Sequence, residues 1–174
     1  MAVVIRRLEE QDEAAGFDCG DEALNNYLQR HAWANQQKSS IGVTYVAIDD
    51  AAPRSAIGYF TLATASAARN SFPKKYVRGL PSYDLPLILL ARLAVDQRFA
   101  GKGLGHALIS EAFKIALRVA DDVGCRGVVT DAYRDRINWY ARYGFIALEG
   151  AAENGPQRMF LDIRTIRMAL KSTR

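Results

Sequence analysis

Cysteine and histidine are scarce in this 174-residue chain, which contains two residues of each type. Cys19 and Cys125 lie far apart in the sequence, and the chain offers only His31 and His106 beside them. Neither a disulfide framework nor a zinc cluster is therefore indicated, and we predict no metal site. Both cysteines are expected to be buried small apolar residues.

Long apolar segments are also missing. No uninterrupted run of about 20 apolar residues occurs, and the first ten residues lack the apolar stretch and cleavage site of a secretory signal. We therefore predict no contact with a membrane and a location in the cytoplasm. A length of 174 residues with 49% hydrophobic residues predicts one domain, spanning residues 1–174, with a sizeable core.

Acidic residues are few in the middle of the chain, although its net charge is only +4. Between residues 69 and 102 only Asp84 and Asp96 oppose seven basic residues, which makes this stretch +5 and the remainder −1. One interpretation is a solvated basic face. The other is a surface that binds a polyanion, such as RNA or the phosphates of a cofactor. The seven basic residues are Arg69, Lys74, Lys75, Arg78, Arg92, Arg98 and Lys102.

The order of apolar patterns predicts a mixed α/β fold. Alternating or continuous apolar runs predict strands at residues 3–7, 42–48, 56–64, 85–95 and 126–132, with closing strands near residues 145–149 and 158–163. Asp21 is placed to cap a first helix. Five apolar residues at helical spacing predict a long second helix ended by Gly124, namely Leu104, Leu108, Ala112, Ile115 and Val119. Shorter helices are predicted at residues 137–143 and 165–170.

The stretch between Ser66 and Pro86 contains three prolines, one glycine and most of the basic residues. This composition requires no regular element, and we interpret the stretch as a functional loop.

A glycine-rich turn joins the apolar strand at residues 85–95 to the long helix. Backbone N–H groups at a helix start are unpaired and carry the positive end of the helix dipole, so they bind phosphate readily. A Walker A loop is excluded because Lys102 is followed by Gly103. A GxGxxG fingerprint fails at both possible starts, because His106 and Leu108 occupy the positions of the third glycine.

Two motifs resemble those of the GNAT acetyltransferases. Arg98-x-x-Gly101-x-Gly103 is similar to the [RQ]xxGx[GA] signature of that family and stands between the expected strand and helix. About 40 residues later, WYARYGF at residues 139–145 is similar to the family segment FYxxxGF, with Tyr140 matching its tyrosine. The resemblance implies the GNAT fold, an α/β fold in which a mixed central sheet with splayed parallel strands is flanked by helices.

The resemblance also implies acetyl-CoA as the acetyl donor, with its pyrophosphate held by the backbone of residues 98–105. Main-chain atoms of the preceding strand would pair with the pantetheine arm as an added strand would, and Asn138 could bind the same arm or be an ordinary surface residue. The implied cofactor-binding residues are Leu93, Ala94, Val95, Arg98, Gly101, Lys102, Gly103, Leu104, Gly105 and Asn138.

Tyr140 is the candidate general acid. When an amine attacks the thioester, the departing thiolate needs a proton, and a phenol with a pKa near ~10 carries one at neutral pH. The alternative is a core aromatic residue with a satisfied hydroxyl group. No general base is tied to the site by its spacing, although Asp96, Asp131 and His106 lie near the turn or the crossover.

Similarity over nearly the whole chain extends to the TacT-type GNAT toxins of bacterial toxin–antitoxin pairs. It is carried by FDCGDEALNNYLQRHA, GYFTLATAS, LILLARLAVD and MFLDIRTI. This resemblance implies acetylation of the α-amino group of aminoacyl-tRNA, a block of translation, silencing by a ribbon–helix–helix antitoxin and a homodimer. Five basic residues would then hold the tRNA acceptor end, namely Arg69, Lys74, Lys75, Arg78 and Arg92. Phe72, Tyr76 and Tyr83 could stack on bases, or pack in the core.

Two other functions stay open at this point. One is a GNAT enzyme that acetylates a small amine or a protein amino group, which predicts an acidic or apolar acceptor pocket. The other is a non-catalytic acyl-CoA-binding module, against which the matching position of Tyr140 argues.

Overall fold

Two antiparallel pairings build the N-terminal part of the sheet. In the computed structural model, which describes residues 2–150 and 153–172, β1 (Val3–Arg7) pairs with β2 (Val43–Asp49), and β2 pairs with β3 (Ala56–Ala67). Alternation of β-branched and aromatic residues favours these strands. The strands predicted at residues 42–48 and 56–64 are therefore confirmed, and they form an antiparallel hairpin with a register shift between Ala47 and Ile48.

The helical segment between β1 and β2 is irregular. It comprises α1 (Glu22–Asn26), a π-helical turn (Tyr27–His31), α2 (Ala32–Ala34) and a second π-helical turn (Asn35–Ser39). Asp21 caps it as predicted, because its carboxylate accepts a hydrogen bond from the Leu24 amide at 3.1 Å. Three apolar residues of this segment are buried, namely Tyr27, Leu28 and Ala32.

The stretch between β3 and β4 (Leu85–Val95) contains more regular structure than its composition suggests. A 3₁₀ turn (Arg69–Ser71) and the short helix α3 (Lys74–Val77) occupy it. Phe72 and Val77 are buried and hold this stretch against the core. The composition requires no regular element here, yet these two apolar side chains stabilise a local helical turn that the proline and glycine content does not indicate.

A parallel crossover follows. After a 3₁₀ turn (Gln97–Phe99), α4 (Leu104–Asp122) leads to β5 (Gly127–Ala132), which pairs parallel with β4 through Ile88 with Val128 and Leu89 with Val129. The predicted apolar stripe of α4 is buried at its first four positions, from Leu104 to Ile115, and half-buried at the last, Val119. The strand–turn–helix–strand prediction is confirmed.

The C-terminal elements complete the sheet. They are a 3₁₀ turn (Arg134–Arg136), α5 (Ile137–Ala141), β6 (Ile146–Ala147), β7 (Gln157–Asp162) and α6 (Ile163–Ser172). The seven strands lie in the order β1-β2-β3-β4-β5-β7-β6, which agrees with the predicted mixed sheet. No helix within residues 2–150 and 153–172 is both long and apolar enough to cross a bilayer.

The chain divides into two compact units, each with its own apolar cluster. Unit 1 comprises Met1–Ala63 and Ala91–Ala112, and its cluster includes Phe17, Tyr27, Val46, Tyr59 and Ala94. Unit 2 comprises Thr64–Leu90 and Phe113–Arg174, and its cluster includes Phe72, Leu87, Val129 and Phe160.

The two cysteines are less buried than predicted. Cys19 and Cys125 are both half-buried, and their thiols donate hydrogen bonds to the carbonyl oxygens of Asp21 and Gly127, at 3.6 and 3.1 Å. Burial is the main cause that raises the pKa of both thiols, so the protonated form is favoured. The prediction that both cysteines are buried was wrong, because each lies beside a glycine-containing turn at the edge of the core.

Candidate functional site

The glycine-rich turn in unit 1 has the backbone that a close-approaching ligand needs. Gly101 and Gly103 adopt positive φ angles of 72° and 81°, a region that residues with a Cβ atom enter only at a cost. A Cβ atom built on either glycine would meet no atom within 4 Å. Both glycines therefore present bare backbone to open space.

The backbone N–H groups of the turn divide into satisfied and open sets. The amides of Arg98, Phe99 and Ala100 donate within the turn, to the Asp96 carboxylate, the Asp96 carbonyl and the Gln97 carbonyl. Within the described residues, the next five N–H groups, those of residues 101–105, have no backbone acceptor. The open set thus begins at Gly101, and the amides of the first three residues of the predicted cradle, residues 98–100, are hydrogen-bonded within the turn.

A buried carboxylate holds the start of this turn. Asp96 is fully buried, and it accepts hydrogen bonds from Nε and Nη2 of Arg98, each at 2.8 Å, and from the Asp18 amide at 3.2 Å. The Arg98 guanidinium is the main cause that lowers the pKa of Asp96 to about 2. The Gln97 amide donates to the Asp18 carbonyl at 2.9 Å, and Arg98 also donates to the Gly16 carbonyl at 3.3 Å.

The first turn of α4 is fixed by close packing on β3 at Gly58. A Cβ atom at Gly58 would lie 3.0 Å from Cδ1 of Leu108, 3.2 Å from Cδ2 of Leu104 and 3.3 Å from the Ala94 carbonyl oxygen. A side chain at this position would require its neighbours to shift by a few tenths of an ångström. The amides at the head of the helix are therefore held in place by a packed core rather than by a mobile loop.

Tyr140 lies in unit 2, on α5, with only 8% of its surface exposed. Its ring packs edge to face against Trp139 and Phe145, at centroid distances of 5.0 and 5.4 Å. Burial raises the pKa of Tyr140, opposed by a hydrogen bond with the Thr130 side chain and by the charge of Arg136. The phenol is therefore protonated at neutral pH.

Asn138 and Asp131 also lie in unit 2. The Asn138 side chain is exposed on α5, two residues after the end of the 3₁₀ turn (Arg134–Arg136). Asp131 forms an ion pair with Arg158 at 2.8 Å on the protein surface. The hydrogen bond from Arg158 is the main cause that lowers the pKa of Asp131, which makes this carboxylate a weaker base.

The basic segment, residues 69–78, carries four basic residues and no acidic one. Lys74, Lys75 and Arg78 are exposed, and no carboxylate of the described residues forms an ion pair with them. Arg69 is half-buried and donates to the Val77 carbonyl at 2.9 Å. The segment therefore keeps at least three uncompensated positive charges in contact with solvent.

The aromatic residues near the basic segment have different fates. Phe72 and Tyr76 pack edge to face on Phe160, at centroid distances of 4.9 and 5.6 Å. Phe72 is buried and Tyr76 is half-buried, so the core-packing alternative holds for both. Tyr83 is 69% exposed and is the one of the three that can stack on an exposed base.

Arg92 lies on β4 in unit 1. Its guanidinium carbon is 3.6 Å from the ring centroid of Tyr27, a close cation–π contact. No ion pair or hydrogen bond of this guanidinium is found in the part of the chain that the structure describes. The aromatic ring of Tyr27 therefore holds the Arg92 guanidinium, and the N–H groups of this guanidinium can still donate hydrogen bonds to a ligand. The sequence contains no periodic signal that pairs it with Tyr27.

The predicted site residues fall into both units. Unit 1 brings together Arg92, Leu93, Ala94, Val95, Arg98, Gly101, Lys102, Gly103, Leu104 and Gly105. Unit 2 contains Arg69, Lys74, Lys75, Arg78, Asn138 and Tyr140. One buried residue of these neighbourhoods was not predicted, Asp96 as the anchor of the turn. An acidic residue directly after an apolar strand and two residues before Arg98 was the signal available for Asp96.

Comparison with known proteins identifies the family of this chain. A model of the acetyltransferase (GNAT) domain matches residues 31–147. The tRNA-acetylating toxin of Mycobacterium tuberculosis (strain ATCC 25618 / H37Rv) is 31% identical over 141 residues, which cover 80% of this chain and 82% of that protein.

Solved structures show similarity over nearly the full length. AtaT complexed with acetyl-methionyl-tRNAfMet superposes with a TM-score of 0.87 at 28% identity, covering 97% of this chain and 99% of that one. A mutant AtaT toxin bound to the C-terminus of the antitoxin AtaR superposes with a TM-score of 0.77 at 26% identity, covering 96% and 97%.

Proposed function

Because the chain belongs to the GNAT acetyltransferase family, we propose that it transfers an acetyl group from acetyl-CoA to the α-amino group of an aminoacyl-tRNA. Acetylation of that amine prevents peptide-bond formation, so the protein acts as a toxin that blocks translation. The observation that carries the acetyl-transfer part is the run of five open N–H groups at residues 101–105. The similarity to a tRNA-acetylating toxin supports the choice of acceptor.

The open N–H groups fit a diphosphate. They lie at the head of a 19-residue helix, where the helix dipole adds positive potential, and the two glycines leave space for the phosphate oxygens. Lys102 is exposed beside them and adds a positive charge. We assign Gly101, Lys102, Gly103, Leu104 and Gly105 to direct binding of the pyrophosphate.

Arg98 receives a different role within the same site. Its amide and two of its guanidinium nitrogens are engaged by Asp96, so it holds the turn rather than offering its backbone to phosphate. Main-chain atoms of Leu93, Ala94 and Val95 pair with the pantetheine arm in the proposal, because the last residues of a strand leave backbone groups to which an extended ligand can add. The exposed amide of Asn138 is assigned to the same arm.

Tyr140 is the proposed proton donor. Acetyl-CoA supplies the acetyl group as a thioester, whose sulfur leaves with a negative charge. Because burial keeps the Tyr140 phenol protonated, its O–H group can donate to that sulfur, and general acid catalysis of this kind contributes about 10²–10⁴-fold to a rate. The ester of an aminoacyl-tRNA withdraws electrons from the neighbouring amine, so the acceptor needs no strong general base.

The basic surface suits a nucleic-acid acceptor. Uncompensated Lys74, Lys75 and Arg78 match the Lys and Arg contacts through which proteins bind phosphate backbones. Arg92 and the half-buried Arg69 complete the proposed contacts to the acceptor end. An acidic acceptor pocket for a small amine is not supported by this composition.

The remaining parts of the proposal concern the biological setting. The similarity to an antitoxin-bound toxin supports a protein antitoxin as partner, and we propose that it is of the ribbon–helix–helix type. We further propose that the enzyme is a homodimer, that it acts in the cytoplasm, where charged tRNA occurs, and that residues 1–174 form one acetyltransferase domain. Sedimentation of the purified protein and co-expression with the product of the adjacent reading frame test these points.

The decisive assay offers acetyl-CoA with aminoacyl-tRNA or with a panel of free amines and follows thiol release. We expect turnover with aminoacyl-tRNA and a loss of at least about 100-fold in kcat for Tyr140→Phe. Tyr143→Phe is the matched control, because it removes the same group, a tyrosine hydroxyl, three residues further along the chain. The Tyr143 ring packs on Phe113 and Trp139. It should keep kcat within a factor of about two.

Each other outcome identifies a different function. Rapid acetylation of a free amine with no modification of tRNA would replace the proposal with an N-acetyltransferase of small amines or protein amino groups. Tight binding of acetyl-CoA without turnover of any acceptor would indicate a non-catalytic acyl-CoA-binding module.

A further inference from the structure

Arg126 immediately precedes β5, and its guanidinium contacts the basic segment. Nη2 donates a hydrogen bond of 3.0 Å to the Tyr76 carbonyl oxygen in α3. The same guanidinium forms an ion pair with the Asp162 carboxylate, at 3.0 Å from Nη2, and Nη1 donates to this carboxylate at 3.2 Å. Each Nη nitrogen carries two protons, so Nη2 can donate to both acceptors. Arg126 therefore joins the basic segment to the last residue of β7.

The backbone of Arg126 is fixed at both of its polar groups. Its amide donates to the Pro86 carbonyl in β4 at 2.8 Å, and its carbonyl oxygen accepts from the Ile163 amide at the start of α6 at 3.0 Å. Only 15% of the Arg126 side chain and 3% of the Asp162 side chain are exposed. Charge-assisted contacts of this kind belong to the stronger class of hydrogen bonds. Arg126 is therefore a fixed support for the Tyr76 carbonyl.

The helix α3 depends on such contacts, because its four residues are too few to form a stable helix alone. Carbonyl groups at the end of a helix have no partner within the helix. Within the described residues, no backbone N–H group donates to the Tyr76 carbonyl, and Arg126 supplies the donor. The next carbonyl, that of Val77, accepts from Nη2 of Arg69 at 2.9 Å and from the Leu80 amide at 3.0 Å. Two arginines thus bind two consecutive carbonyl groups at the end of α3.

We infer that Arg126, held by Asp162, is a positioning residue for the basic segment. By fixing α3, it presents the exposed side chains of Lys74, Lys75 and Arg78 together to the phosphates of aminoacyl-tRNA. This inference rests on the proposed function, in which the basic segment binds tRNA. It adds a residue that lies outside both family motifs and outside the basic segment itself.

Fixing α3 before binding lowers the entropic cost of the complex. Lysine and arginine side chains lose much rotamer freedom when they are held in one place, and a mobile backbone would add to that loss. A surface that is already ordered avoids this second cost. Loss of the Arg126 side chain should therefore weaken tRNA binding even though the three exposed charges of the segment remain.

The test replaces Arg126 by methionine, which keeps an unbranched side chain and removes the donors. Asp162 stays partnered in this variant, because Arg164 donates to it from its amide at 2.8 Å and from Nη2 at 2.9 Å. We expect Arg126→Met to raise KM for aminoacyl-tRNA about tenfold, with kcat and KM for acetyl-CoA unchanged. Amide hydrogen exchange at residues 76–80 of the free enzyme should become faster. Arg126→Lys keeps the charge without the planar fork and should show both effects to a smaller extent.

Arg158→Met is the matched control. Arg158 forms an ion pair with Asp131 at 2.8 Å, which also joins β5 to β7 but at the opposite end of the two strands. The substitution removes the same charge and the same kind of contact without touching α3. It should change KM for aminoacyl-tRNA by less than about twofold, since exposed ion pairs contribute little, and leave hydrogen exchange at residues 76–80 as in the wild type.

A combined variant shows whether Arg126 acts through the basic segment. In an enzyme with Lys74, Lys75 and Arg78 replaced by alanine, Arg126→Met should raise KM for aminoacyl-tRNA no further. An unchanged KM for folded Arg126→Met, or an equal rise in the triple-alanine background, would overturn the inference. If Arg126→Met does not fold, Arg126→Lys takes its place, and wild-type KM and exchange in that variant would count against the inference. Undiminished tRNA affinity of the triple-alanine variant itself would instead refute the proposed role of the basic segment.

Discussion

Asp96 and Arg98 form a two-point contact, in which Nε and Nη2 of the guanidinium each donate to a carboxylate oxygen at 2.8 Å. The carboxylate has 1% of its side chain exposed, whereas 66% of the arginine side chain faces solvent. Bidentate geometry of this kind is the strong form of an ion pair. One buried acid thereby fixes the start of the turn whose next five N–H groups are open.

Replacing this acid should weaken both the fold and cofactor binding. The pKa of Asp96 lies at about 2, below the ordinary 3.8, so its ionised form stabilises the folded state by about 2 kcal/mol at neutral pH. Asp96→Asn should lower the free energy of unfolding by about that amount and raise KM for acetyl-CoA. Urea unfolding at pH 7 and steady-state kinetics measure the two effects.

The pH dependence provides a second check on Asp96. Since the folded-state pKa is depressed, the stabilisation is complete above about pH 4 and is lost as the pH falls towards about 2. The wild type and Asp96→Asn should therefore converge in stability at acidic pH. Asp131→Asn is the control, because its ion pair with Arg158 is exposed and its loss should cost less than about 1 kcal/mol. Equal losses for the two variants would contradict this assignment.

Gly103→Ala should impair binding of acetyl-CoA beyond its effect on stability. At a φ of 81° a Cβ atom costs about 1–2 kcal/mol, and the methyl group would enter the space proposed for the pyrophosphate. Isothermal titration with CoA measures the affinity. Gly79→Ala carries a similar backbone strain, at a φ of 78° and with no atom within 4 Å, but lies outside the turn. It should lose similar stability and keep its affinity for CoA, and a parallel loss of affinity in both variants would speak against the cradle.

Neutralising the basic segment should lower the affinity for tRNA and make that affinity less dependent on salt concentration. Replacing Lys74, Lys75 and Arg78 by alanine removes three charges, so the slope of log K against log salt should fall by about two to three. Filter binding of aminoacyl-tRNA at several salt concentrations measures this slope. A control with the same change in charge replaces three exposed basic residues outside the segment, Arg7, Lys38 and Arg54. An equal change of slope in the two triple variants would show that the segment has no special role.

The contact between Arg92 and Tyr27 should affect KM for the acceptor, aminoacyl-tRNA, and leave KM for the donor, acetyl-CoA, unchanged. Arg92→Gln should raise KM for aminoacyl-tRNA about tenfold, equivalent to one charge-assisted contact, with KM for acetyl-CoA unchanged. Tyr27→Leu removes the aromatic face at 3.6 Å and should cause a smaller change in the same direction, because the guanidinium remains but is no longer oriented. A rise in KM for acetyl-CoA alone would place Arg92 with the donor instead.

Local patterns in the sequence were sufficient for most elements and for the cofactor turn. The apolar stripe of α4, the continuous run of β4 and the glycines between them depend on residues close in sequence, and periodicity and backbone freedom report such relations directly. The motif around Tyr140 was recognisable for the same reason. Short helical segments such as α3 were not predicted, because four residues contain too little periodicity to distinguish a helical turn from a loop.

Pairings between distant residues were decided by the tertiary structure alone. Asp96 holds Asp18 across 78 positions, and Thr130 bonds Leu90 across 40 positions, and no spacing rule connects such residues. Whether a polar side chain is a buried anchor or an exposed ligand depends on what folding brings beside it, because burial without a partner is costly and burial with one is stabilising. The sequence by itself therefore determined the chemistry available to this protein, and the tertiary structure decided which polar groups are already partnered and which stay open.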